Sequence, residues 1–181
     1  MNRIYLVPLL FVLVFSSCSK ADRYRTQIEE IGDKWETLAS DATNLSINTS
    51  ENIKTWQTNY QNLFSSFDSE EISMSEEEKS KLDQFKITCL GHGDVYVEIQ
   101  EVMDSRIKEI EAKGIEIQEL MLALEGDAIP DDIDSQIKGL TDFIDSTEVS
   151  IHEYEQITSN TQKECISNCM PLVEKLKRAT Q

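Results

Sequence analysis

Proline and glycine are scarce: 3 Pro and 6 Gly in 181 residues leave few places for the chain to turn. That scarcity argues against a fold of many short strands and for a few long helices. Basic residues are also few, with 17 Lys and Arg against 34 Asp and Glu, for a formal charge of −17. A nucleic-acid partner is thereby excluded, because phosphate neutralisation needs a Lys/Arg-rich face. The 2 histidines lie outside any HExxH context, and no glycine-rich phosphate loop or EF-hand spacing occurs. Ser135-x-x-Lys138 matches a serine–lysine pair without its companion motifs, so it carries no catalytic assignment. No small-molecule substrate is evident, and an enzyme is not expected.

What is present is a long periodic pattern. With 39% hydrophobic and 28% charged residues, the chain has material for one domain with a real core. Leu82, Phe85, Cys89, His92, Tyr96, Ile99, Met103, Ile110, Ile117, Met121 and Leu124 fall on three- and four-residue steps, the stripe of a helix with one buried face. A continuous helix of that length spans on the order of 65 Å at about 1.5 Å per residue, so helices of similar length must lie beside it. A preceding stripe runs from Tyr24 through Trp35, Leu45, Thr49 and Trp56 to Tyr60, Leu63 and Phe67. A following stripe runs from Ile133 through Ile144 and Thr158 to Cys165, Cys169, Leu172 and Leu176.

The turns are marked by capping chemistry. Ser75 and Glu78 make a capping box after the Ser/Glu-rich stretch from Ser65. Gly126 suits the end of the central rod, while Pro130 with Asp131, Asp132 and Asp134 suits the start of the third. Lys175, Lys177 and Arg178 carry the charge that a helix C-terminus prefers. Short turns make neighbouring helices antiparallel, so the expected fold is all-α: an elongated antiparallel three-helix bundle with coiled-coil-like packing. The polar seam from Asn44 to Asn52, where Asn48 and Glu51 form a second capping pair, leaves open a four-helix bundle with the first rod broken near Asn48.

The N-terminus is organised differently. Arg3 is followed by an apolar run from Ile4 to Phe15, too short for a comfortable membrane span, and then by Phe15, Ser16, Ser17 and Cys18. This stretch resembles a bacterial lipoprotein signal and its lipobox, with Phe where Leu is usual. The resemblance implies removal of residues 1–17 and diacylation of Cys18; a tether over 18–22 then leads into the single helical domain, 23–181, that composition and periodicity predict. Ser19 after the cysteine implies sorting to the outer membrane, facing the periplasm. The implied partners are the membrane, through lipidated Cys18, and another envelope protein.

Counting outward from a match of Leu124 with Ile133 puts Cys89 beside Cys169 and His92 beside Cys165. The same count across the first turn puts Trp56 beside His92 and Tyr60 beside Cys89. Three readings follow. Cys89 can form a disulfide with Cys169 or Cys165, in keeping with export, whereas a Cys165–Cys169 bond within one regular helix is geometrically poor. Alternatively Cys89, His92, Cys165 and Cys169 supply three sulfurs and an imidazole for Zn or Cu, making a small metal-binding or thiol-redox protein. In the third reading the same residues are small core side chains packed on Trp56 and Tyr60.

Overall fold

The computed structural model describes residues 20–62, 64–65, 75–126 and 129–179, with the backbone alone at residues 78 and 175–179. The leader, the lipobox with Cys18, Leu63, Phe67 and most of the Ser/Glu-rich turn lie outside the described residues, as do the side chains of Glu78, Lys175, Leu176, Lys177 and Arg178. Three long rods pack antiparallel as an all-α three-helix bundle, with no strand among the described residues. The first rod is α1 (Lys20–Trp56) followed by a π-helical turn, Gln57–Gln61. The central rod comprises α2 (Glu76–Phe85), a π-helical turn Lys86–Leu90 and α3 (Gly91–Glu125). The third comprises α4 (Ile133–Glu164), a π-helical turn Cys165–Cys169 and α5 (Met170–Ala179).

The seam lies where the periodicity puts it. Ile28, Leu38, Ala42 and Leu45 of the first rod meet Ile99, Met103, Ile110 and Leu124 of the central rod and Leu140, Ile144 and Ile151 of the third. Polar seam positions are buried as well, including Thr49 and Thr147 at 0% exposure. Leu120 also enters the core, beside the half-buried Met121.

The first rod is not broken near Asn48. Asn48 and Glu51 are exposed within an uninterrupted α1, and Thr49 continues the buried stripe. The segment is held against the central rod, where Gln100 Nε2 donates to Ser46 Oγ at 2.8 Å as well as to Asp104 Oδ1 of its own helix at 2.8 Å. With Leu45 and Thr49 buried in the seam and the main-chain bonds of α1 uninterrupted, helix continuation costs less than a break.

Ser75 O accepts from Lys79 N–H at 3.0 Å as the central rod begins. Gly126 ends α3 with φ −84°, and its N–H donates to Leu122 O at 3.3 Å, so no left-handed cap is used. The third rod starts at Ile133, after Pro130 rather than with it. Asp132 is the residue at its N-terminus, but its carboxylate accepts from Gln136 Nε2 at 2.7 Å instead of from a main-chain N–H.

Two tryptophan–glycine contacts fix the first rod on the second. A Cβ on Gly93 would stand 2.5 and 2.6 Å from Trp56 Cη2 and Cε2, and one on Gly114 would stand 3.1 Å from Trp35 Nε1. Each indole thus lies against bare backbone. The pairs are 21 residues apart on both rods, and the Arg25 hydrogen bond from Nη2 to Leu124 O, at 3.1 Å, obeys the same antiparallel register. Trp35 also stacks on Phe143 of the third rod, with ring centroids 6.2 Å apart.

Candidate functional site

All three rods widen into π-helical turns at one level of the bundle. Gln57–Gln61, Lys86–Leu90 and Cys165–Cys169 contact one another and contribute Tyr60, Cys89, Cys165 and Cys169 to a separate buried cluster with Phe85 and Val173. The residues explain the widening. An α-helix turns about 100° per residue, so successive four-residue steps drift about 40° each away from a straight seam. Here the seam runs in fours through Trp56, Tyr60 and Phe64, through Phe85, Cys89 and Gly93, and through Thr161, Cys165, Cys169 and Val173. A turn closed by i→i+5 bonds takes up that drift and keeps each cysteine facing inward.

A widened turn shifts the main-chain bonding pattern, so that Cys165 O accepts from Met170 N–H, and buried carbonyls of the turns accept side-chain donors as well. Trp56 Nε1 donates to Cys89 O at 2.9 Å, and the Tyr60 hydroxyl donates to Cys165 O at 3.3 Å. Aromatic donors of the first rod therefore reach the π turns of the other two. Burial pushes the Tyr60 and Tyr96 hydroxyls above the ordinary tyrosine range, with Cys165 adding to both shifts.

Cys89 and Cys169 are brought to disulfide distance, with Cα atoms 5.6 Å apart and both residues at 0% exposure. This is the first of the two pairings that the register allows for Cys89. Cys165 is the remaining thiol in the cluster, also buried. Burial pushes its thiol up, opposed in part by a hydrogen bond with Tyr96, while Glu164 raises it slightly further.

His92 does not join the layer. Gly93 takes the seam position that the three-four rhythm gives to His92: the steps from Cys89 to Tyr96 are four then three rather than three then four, and the stripe from Tyr96 onward is unchanged. The small residue is what admits the Trp56 indole. Cys89 and Cys169 are directed at each other, and among the described residues no three His, Cys, Asp or Glu side chains form a group able to hold a metal ion. The four residues considered for Zn or Cu are thus not gathered as a ligand set, since bridging draws the two sulfurs together, while His92 is half-buried beside the seam with its Nε2 shielded from solvent and without a hydrogen-bond partner among the described residues.

The other sequence candidates stay apart. His152 is exposed, 2.8 Å from Gln156 Nε2 through its own Nε2. Lys138 pairs with Asp142 rather than approaching Ser135. Val173 and Gly93 are the residues of the layer that the three-four count misses, and the run of fours is the signal that identifies them. Among the described residues, no helix is long and apolar enough to cross a membrane. Comparison with known proteins finds no matching family model, no matching curated protein and no matching solved structure.

Proposed function

We propose that this chain is a lipid-anchored protein of the bacterial cell envelope, held through Cys18 to the periplasmic face of the outer membrane. Its bundle acts without catalysis, as a scaffold or docking partner for another envelope protein. The observation that supports this reading best is the buried Cys89–Cys169 pair in a chain whose leader resembles a lipoprotein signal. Disulfides persist in oxidising compartments outside the cytoplasm, which is where such a leader delivers its cargo. The bridge ties the central and third rods together across a separation of 80 residues, a constraint suited to holding a long bundle in one shape.

The test is the intact mass of the full chain expressed in a bacterial host and recovered from its membranes. The expected species begins at Cys18, carries fatty-acyl chains and contains one bridge, while Cys18→Ser abolishes the acyl mass and membrane retention. A product that retains residues 1–17 without acylation would overturn the anchor. A second reading, a thiol-redox protein, draws on Cys165 lying in the same cluster as the bridge. It requires Cys165 to be alkylated rapidly in the native fold, whereas the scaffold reading expects modification only after unfolding.

A further inference from the structure

We infer that the end of the bundle formed by the start of α1 and the turn between α3 and α4 is a membrane-contact surface for zwitterionic phospholipid. This rests on the lipid anchor proposed above and specifies which part of the domain meets the bilayer. The Trp–Gly register, continued by the Arg25–Leu124 hydrogen bond, puts the start of α1 at the same end of the bundle as the end of α3. Lys20 is two residues from Cys18, a tether of at most about 7 Å even when extended. An acylated Cys18 therefore holds this end at the lipid surface and carries the π-turn layer about 60 Å away, 40 residues along the first rod at about 1.5 Å each.

The surface placed there has apolar groups without cover. Ile129 is 38% exposed at the turn, and Leu122 is 67% exposed about one turn before the end of α3. Exposed charges of both signs lie at this end, with acids in excess: Lys20 and Arg23 against Glu125, Asp131, Asp132 and Asp134, with Arg25 paired to Asp22. That mixture gives no attraction to an anionic surface, so contact is apolar and favours headgroups without net charge.

The measurement uses the acylated full-length protein, with carbon-13 labelled Ile and Leu methyls, in bilayers of phosphatidylethanolamine and phosphatidylcholine containing a spin-labelled lipid. Leu122 and Ile129 methyls should broaden several-fold more than those of Ile87 and Ile166, which are 82% and 60% exposed in or beside the π turns at the far end. Equal broadening at both ends, in protein whose mass confirms acylation, overturns the contact and leaves the anchor standing. Stronger broadening at Ile87 and Ile166 overturns it too, by placing the other end at the lipid. Shifts of the Leu122 and Ile129 methyls with protein concentration, without lipid broadening, would assign the patch to a second copy and likewise overturn it. Absence of acyl mass at Cys18 overturns contact and anchor together.

Discussion

Gly93 is held by a steric requirement at a single atom. A methyl group there would overlap the Trp56 ring, so Gly93→Ala must displace the indole and break its hydrogen bond to Cys89 O. Gly93→Ala is expected to destabilise by about 1–3 kcal/mol despite alanine's better helix propensity, the usual cost of overpacking. Urea denaturation checks this, and a stabilised Gly93→Ala would remove the steric account. At Gly91, where nothing lies within 4 Å of an added Cβ, the same change should be neutral or stabilising. The buried thiol gives a pH prediction. Folding raises Cys165, Tyr60 and Tyr96, so their contribution is fully present below the unfolded thiol's ordinary value near 8.5 and is lost as pH rises toward the folded values. Stability should therefore decline above about pH 8.5, and Cys165→Ala should weaken the first part of that decline. Chemical denaturation from pH 7 to 10 measures both.

At the scale of elements, the three π turns behave as one unit because donors of the first rod's Trp56 and Tyr60 reach the turns of the other two, which are themselves bridged by Cys89 and Cys169. Removing the bridge with Cys89→Ala and Cys169→Ala should cost about 2–4 kcal/mol, read as a lowered denaturation midpoint in oxidised protein and no further loss on adding reductant. Trp56→Phe keeps the ring but leaves Cys89 O without its indole donor, with an expected cost of about 1–3 kcal/mol. Hydrogen exchange should localise that loss to Lys86–Leu90 rather than to the first rod's own turn. Exposed ion pairs such as Lys113–Glu116 and Arg106–Glu109 contribute only a few tenths of a kcal/mol each, so their removal should leave the layer unchanged.

For the whole molecule, the third rod from Ile133 to Ala179 is about 70 Å long at about 1.5 Å per residue. Small-angle scattering should give a radius of gyration of about 21 Å, against about 15 Å for a compact domain of similar length. The three rods, their antiparallel order and the level at which Cys89 meets Cys169 were legible in the sequence, because apolar periodicity and short connections set register without knowledge of side-chain contacts. The continuity of α1 past Asn48 was not, since Ser46 meets Gln100 only once two distant segments are side by side. Nor was the exchange of His92 for Gly93: a three-then-four and a four-then-three step both lead from Cys89 to Tyr96, and the Trp56 indole, supplied by another rod, selects the glycine. The sequence by itself determined the pattern of buried faces and the lipobox-like leader. Only the tertiary structure decided where the helices widen, because carbonyls in the π turns of the central and third rods accept from donors on the first rod, Trp56 and Tyr60, which no local reading of the widened segment contains.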